Sequence, residues 1–267
     1  MLANFHTHTI FCDGNNTPEE IVLAAIEKDF SAIGFSGHGY TPFDTSYCMK
    51  DTEGYSNEII RLREKYKNKI QIYLGVEEDA FAPIDRSKFD YVIGSSHYLR
   101  HGCNYLPIDS SPEEFSECIE AFSGDPIRLA EAYYGELCDY IAKRRPDIIG
   151  HFDLITKYDE LGDSLLLKNP KYNAVAEQAT KIAAQSGSIF EVNTGAITRG
   201  LRSAAYPAEN ILYLLRREEA RIILSSDSHD AAALDAFFEE TKHYLYDIGF
   251  RYTYTLWNGE FIKCDIK

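Results

Sequence analysis

The chain has 267 residues, 45 % hydrophobic and 26 % charged, with 27 basic against 42 acidic side chains and a formal net charge of −15. That length and balance suit one large α/β domain of an ordinary globular protein. The acidity argues against nucleic acid or an anionic membrane as partner, and suits a substrate whose non-reacting end is cationic.

In chain order, the short apolar run Leu2-Ala3-Asn4-Phe5 predicts a strand, so His6 and His8 project to the same side. Asp13-Gly14 follow in the next turn. Thr17-Pro18-Glu19-Glu20 is a helix start, with Thr as N-cap, Pro at the first helical position and Glu at the third. Ile21, Val22, Ala25 and Ile26 carry the helical period to about Phe30. Ser31 to Phe35 reads as a buried strand ending in Ser36-Gly37-His38, and Tyr55 to Lys67 as a helix with Ile59, Ile60, Leu62 and Tyr66 on its inner face. Ile70 to Val76 is the next strand and runs into Glu77-Glu78-Asp79. Asp90 to Gly94 follows, closing on Ser95-Ser96-His97.

The segment 98–125 is the least regular, with a helix opened by Ser111-Pro112-Glu113-Glu114, and is expected to be a substrate-covering insertion. Pro126 to Arg144 is a long helix. Asp147 to Gly150 is a strand ending at His151-Phe152-Asp153, and Pro170 to Gln185 a helix stopped by Gly187. Ser188 to Val192 is a strand ending at Asn193-Thr194-Gly195, followed by a helix over Pro207 to Arg217. Arg221 to Ser225 is a strand that exits through Ser226-Asp227-Ser228-His229, and Ala231 to Ile248 the last long helix. The tail from Tyr252 to Ile262 is expected to add an edge strand or to pack across the floor.

The β-α alternation occurs seven times without a linker, which predicts a single domain over 1–267 with a mainly parallel sheet. Closure into a barrel is favoured because metal-type residues leave the end of every strand; in an open sheet they would gather at one switch point. Six of the eight histidines, His6, His8, His38, His97, His151 and His229, stand at strand exits together with Glu77 and Asp227. Asp13 makes nine potential ligands. His243 reads as a surface residue, and His101 as an exposed loop histidine within reach of substrate. Imidazole and carboxylate donors without thiolate suit zinc, iron or manganese, and their number exceeds the needs of one ion. Two or three divalent ions sharing a carboxylate would support hydrolysis. No nucleophile elbow, Walker loop or dinucleotide fingerprint competes. Six cysteines form no Cys-x-x-Cys pair, no run could span a bilayer and no leader is recognisable, so a soluble, cytoplasmic protein with reduced thiols is expected.

His6-x-His8, Asp13-Gly14, His38, Gly75-Val76-Glu77, Ser96-His97, Gly150-His151-x-Asp153, Glu191-Val192-Asn193-Thr194 and Ser226-Asp227-Ser228-His229 resemble the polymerase and histidinol phosphatase (PHP) family, in its stand-alone histidinol-phosphate phosphatase form. The resemblance covers the whole chain and implies a distorted (β/α)7 barrel with a trinuclear metal centre. It implies one ion held by His6, His8, Glu77 and Asp227, a second bridged by Glu77 and completed by His97 and His151, and a third on Asp13, His38 and His229. Glu77 is preferred over Glu78 because it directly follows Gly-x, and strand alternation turns Glu78 away. The resemblance also implies a phosphate-binding arginine in the loop after Asn193-Thr194, Arg199 first and Arg202 second; Asn193 and His101 are further substrate-contact candidates. Ser36 stands where the family more often has Asp.

The implied reaction is hydrolysis of a small phosphomonoester, foremost L-histidinol phosphate, by a hydroxide bridging two ions. Asp227 would accept a proton, His229 or a water on the third ion would serve the leaving group, and Arg199 and the ions would offset the transition-state charge. The alternatives are a nucleotide or other small-phosphoester phosphatase of the same family, or an amidohydrolase. Nucleic-acid and membrane partners are not expected.

Overall fold

The computed structural model describes residues 1–266. Short strands bounded by capped helices follow one another along the chain. They are β1 (Ala3–Asn4), α1 (Pro18–Glu27), β2 (Ala32–Phe35), α2 (Thr52–Tyr66), β3 (Gln71–Asp79) and β4 (Tyr91–Ser95). Then come the hairpin β5 (Tyr98–His101) and β6 (Asn104–Pro107), α3 (Pro112–Ala121), α4 (Pro126–Arg144), β7 (Ile148–Ile149), α5 (Pro170–Ala184) and β8 (Ile189–Asn193). The chain ends with α6 (Gly195–Thr198), α7 (Glu209–Arg217), β9 (Ile222–Ser225), α8 (Phe238–Ile248), β10 (Tyr252–Trp257) and β11 (Glu260–Asp265).

One sheet runs in the order β1-β2-β3-β4-β7-β8-β9-β10-β11, and all its pairings are parallel except β10 with β11. The expected α/β domain with a mainly parallel sheet is therefore present. Beyond the regular strands, Thr7 pairs with Ser228: His8 N–H donates to Ser228 O at 2.8 Å and Ser228 N–H to His6 O at 3.1 Å. The segment leaving β1 thus lies against the segment leaving β9.

Several helices start where the capping chemistry dictates. Thr17 and Glu20 form a reciprocal capping box with Pro18 at the first helical position of α1. α2 begins at Thr52, three residues before the expected Tyr55, because the Asp51 carboxylate accepts from Gly54 N–H.

Other expectations are corrected. The helix expected over 231–248 is a short turn at Ala231–Ala233, capped by Asp230, followed by α8; Phe237 at φ 60° separates the two. The tail is not one strand but a hairpin turning at Asn258-Gly259, both at positive φ (52° and 83°), which is the two-residue turn that Asn-Gly favours. The irregular segment 98–125 contains a second hairpin, turned at Gly102.

Apolar residues cover both faces of the sheet. Phe5, Tyr73, Tyr91, Ile93, Ile148, Ile189, Ile223 and Leu256 cluster on one face, and two larger clusters lie between the other face and the helices. Tyr91 anchors the inner cluster by donating to Phe5 O at 2.6 Å and Phe35 O at 3.2 Å. Gly34 and Gly75 leave the space its ring occupies, since a Cβ at either position would collide with it.

Strand alternation along β3 decides the site. Glu77 faces the strand-end histidines, while Glu78 turns to the helices, accepts from Arg144 Nη2 at 2.6 Å and Tyr140 OH at 2.9 Å, and pairs with Arg86. Burial opposes ionisation of Glu78, but Arg144 and Arg86 bring its pKa down from 4.5 to about 2. A carboxyl depressed by folding adds stability above its unfolded pKa and loses it as pH falls through the folded value. The unfolding free energy of wild type should therefore fall more steeply than that of Glu78→Gln between pH 4.5 and about 2, read by urea titration across that range. A gap that stays constant with pH would show that Glu78 is not held ionised.

Candidate metal centre

Every ligand-type side chain but Asp13, which comes from the turn before α1, stands at or just past the C-terminal end of a strand. His6 and His8 follow β1 with ring centroids 5.2 Å apart, while the intervening Thr7 turns away to donate to Gly34 O at 2.7 Å. His38 follows β2, Glu77 lies on β3, His97 follows β4, His151 follows β7, and Asp227 and His229 follow β9.

Glu77 is the hub, 1 % exposed. Its Oε2 lies 3.2 Å from His6 Nε2, 3.6 Å from His8 Nε2 and 3.0 Å from His38 Nδ1. Its Oε1 lies 3.0 Å from His151 Nε2 and 3.4 Å from His97 Nε2, and accepts from Ser95 Oγ at 2.6 Å. Asp227 Oδ1 lies 3.2 Å from His8 Nε2 and 3.5 Å from His6 Nε2. Asp13 meets His229 Nε2 at 3.1 Å, His8 Nδ1 at 3.4 Å and His38 Nε2 at 3.5 Å. All nine predicted ligands therefore converge.

Their donor atoms form overlapping groups within 4.8 Å: His6 with His8 and Asp227; His6 with Glu77 and His151; His38 with Glu77 and His97; and His8 with Asp13, His38 and His229. His8 stands in two of these groups, whereas the family resemblance implies a place for it at one ion only. His6 Nε2, His8 Nε2, Glu77 Oε2 and His151 Nδ1 are buried without a hydrogen-bond partner. Buried donor atoms left unpaired are costly, and Nε2 of His6 and His8 beside Glu77 Oε2 are of the hard and borderline type that fits divalent cations.

The charges are mutually enforced. Burial opposes ionisation of Glu77, but His6, His38 and His97 hold its carboxyl well below the usual range; His6 and Arg199 do the same for Asp227. His6 is raised against its burial by Glu191, Glu77 and Asp227, and His38 is raised to about 9 by Glu77 and Asp13. His8 goes the other way, lowered by burial and by neighbouring His229 and His38. Without a bound cation, protons on imidazoles neutralise the carboxylates. A divalent ion takes over that task and releases them.

Outer carboxylates orient the rings. Glu191 Oε1 lies 2.6 Å from His6 Nδ1, and its Oε2 accepts from His151 N–H at 2.8 Å and Asn193 Nδ2 at 2.9 Å. Asp79 Oδ2 lies 3.3 Å from His97 Nδ1. These contacts leave Nε2 of His6 and His97 facing inward. Neither acid was assigned a role from sequence, although each stands two residues from a residue that was, on the same strand face. Ser36 Oγ accepts from Thr7 N–H at 3.1 Å instead of touching His38.

Seven of the nine metal-type residues, all but the fully buried His6 and His8, line a cavity of about 440 Å³ that is also lined by Asp44, Tyr47, Tyr98, Asp109, Lys157 and Arg199. Arg199 Nη2 pairs with Asp227 Oδ2 at 3.0 Å. The other substrate candidates do not line this cavity. Arg202 is buried beside Asp153 (3.5 Å) and Glu160 (3.8 Å) and lies over the Tyr206 ring. Asn193 is buried beneath the floor, tied to Glu191 and to Gly195 N–H. His101 is exposed on β5 beside Phe122.

A family model described as the PHP domain matches residues 4–195. The chain belongs to the PHP family. Among PHP-type relatives, a probable histidinol-phosphatase of Schizosaccharomyces pombe is 29 % identical over 92 % of this chain and 86 % of its own. The histidinol-phosphatase of Bacillus subtilis is 24 % identical over 88 % and 97 %. The crystal structure of histidinol phosphate phosphatase from Lactococcus lactis, complexed with zinc, L-histidinol and phosphate, has the same fold with a TM-score of 0.74 at 20 % identity, covering 98 % of this chain and 99 % of that one.

The orienting role of Glu191 is testable. Glu191→Gln should weaken zinc binding about 10–100-fold, because the His6 ring loses its carboxylate partner. Competition against a chromophoric chelator measures this, and unchanged affinity would mean that Glu191 only ties strands together.

Proposed function

We propose that the chain hydrolyses L-histidinol phosphate to L-histidinol and inorganic phosphate, using two or three divalent ions held by His6, His8, Asp13, His38, Glu77, His97, His151, Asp227 and His229. The observation that carries this is the convergence of the imidazoles on Glu77, with unpaired His6 Nε2, His8 Nε2 and Glu77 Oε2 together, beneath a cavity that also contains Arg199. The curated relatives carry the same activity in their names, and the zinc in the Lactococcus lactis structure supports zinc over iron or manganese as the first ion to try. We also propose that the parallel strands close as a distorted (β/α)7 barrel, supported by the Thr7–Ser228 pairing between the segments that leave β1 and β9.

When bound, divalent ions supply positive charge for the phosphoryl oxygens and make water a competent nucleophile at neutral pH. The side chains do the rest. Arg199, anchored by Asp227, turns a guanidinium to the cavity, where it binds the phosphate and offsets charge on its equatorial oxygens. Asp227 divides its two oxygens, Oδ1 toward His6 and His8 and Oδ2 toward Arg199. Held ionised, it takes the proton of the attacking water. His229, whose Nε2 lies 3.1 Å from Asp13 Oδ2, or a water beside it, returns a proton to the departing alkoxide. The segment 98–125 covers the substrate: Tyr98, Pro107, Asp109 and Ser110 from it line the cavity. Six unpaired cysteines suit a reducing, cytoplasmic setting, and no described helix is long and apolar enough to cross a membrane.

Phosphate release from L-histidinol phosphate tests this directly. Activity should vanish on exhaustive chelation and return with zinc or manganese. Turnover that survives chelation would contradict the assignment.

A further inference from the structure

The cavity carries five carboxylates, Asp13, Asp44, Glu77, Asp109 and Asp227, and four of them have a cation or an imidazole against them. Asp13, Glu77 and Asp227 face the histidines, and Asp109 pairs with Lys157 Nζ at 3.1 Å. Asp44 is the exception. Its Oδ1 accepts from Ser46 N–H at 2.9 Å and Ser46 Oγ at 2.6 Å, and its Oδ2 from Tyr98 OH at 2.6 Å. Among the described residues no lysine, arginine or histidine pairs with it. Partial burial opposes ionisation, but the donors from Ser46 and Tyr98 hold the carboxyl below its ordinary range. A full negative charge is thus fixed in place by neutral donors and left open to the cavity.

Its surroundings are aromatic. Tyr47, three residues on in the loop between β2 and α2, sets its ring 4.7 Å from His38 and 6.3 Å from Tyr98. Phe43 buttresses Tyr98 edge-on at 4.9 Å. Asp44 touches none of the nine metal-type residues; the Tyr47 ring is packed on His38, between that floor and the loop. A carboxylate flanked by two rings matches a flat, nitrogen-bearing cation better than a compact ammonium. In histidinol phosphate the ammonium is on the carbon next to the ester carbon, close to phosphorus, while the imidazole is the remote end.

We propose that Asp44 selects the substrate by accepting the imidazole N–H of L-histidinol phosphate, with Tyr47 and Tyr98 flanking the ring. This rests on the phosphatase function proposed above. A charge-assisted hydrogen bond of this kind is worth roughly 10–100-fold in kcat/KM.

The test compares metal-loaded wild type with Asp44→Asn on L-histidinol phosphate, O-phosphoethanolamine (ammonium, no imidazole) and p-nitrophenyl phosphate (neither). Asparagine keeps one oxygen for Ser46, and its amide N–H can donate to the Tyr98 hydroxyl oxygen, so the loop keeps both anchors. The expected result is a roughly 10–100-fold loss with histidinol phosphate, chiefly in KM, and less than about twofold change with the other two. Equal losses on all three would make Asp44 a loop anchor and overturn the proposal. A loss shared with phosphoethanolamine alone would overturn the imidazole assignment in favour of the ammonium. No loss on any substrate overturns it outright while leaving the phosphatase function intact. A wild type that releases phosphate from none of the three overturns both.

Discussion

A single carboxylate, withdrawn from water and touched by five imidazoles, sets the terms for this fold. Glu77 is removed from solvent, and an ionised group so placed is tolerable only with charge or hydrogen bonds on every side. Four separate segments supply those partners, at His6 with His8, at His38, at Ser95 with His97, and at His151. A mainly parallel sheet is the economical way to do this, because its strand ends all open on the same side. The alternation within β3 then keeps Glu77 and Asp79 for the site and gives Glu78 to Arg86 and Arg144, so neighbouring acids perform unrelated tasks.

The same constraint explains why the centre is poised for cations. Its imidazoles are driven apart in proton affinity, His6 and His38 upward by carboxylates and His8 downward by burial and two neighbouring rings. No arrangement of protons satisfies all the inward atoms, as the unpaired nitrogens of His6, His8 and His151 record. Divalent ions would resolve that frustration, while aromatic packing around Tyr91 and ion pairs at Glu78 fix the strands that present the site.

Much of this was legible in the order of residues. Histidines at strand exits announce themselves because period-two strands and abrupt ends leave few other places for them, and all nine ligand-type residues converge. What the sequence hid was of two kinds. Glu191, Asp79 and Asp44 act through partners elsewhere in the chain, such as His6 or Tyr98, so a motif or a strand-face position placed Glu191 and Asp79 near the site without giving either its role. Of the corrected elements, one carried a signal that was passed over. Asn258-Gly259 is a hairpin turn in its own right, whereas the break before α8 falls at Phe237, φ 60°, after an alanine-rich run that favours helix. Arg199 and Arg202 could not be separated by spacing alone; burial beside Asp153 takes Arg202 away from the cavity, while Arg199 opens onto it.

The central claim is that Glu77 and its ring of imidazoles exist to hold cations. Crystals grown with zinc and measured on both sides of the zinc absorption edge test it without reference to turnover. Anomalous peaks within bonding distance of Glu77, with at least one shared between it and His6, His38, His97 or His151, are the expected result. Density without such peaks in zinc-saturated crystals, or peaks confined to surface histidines such as His243, would contradict it.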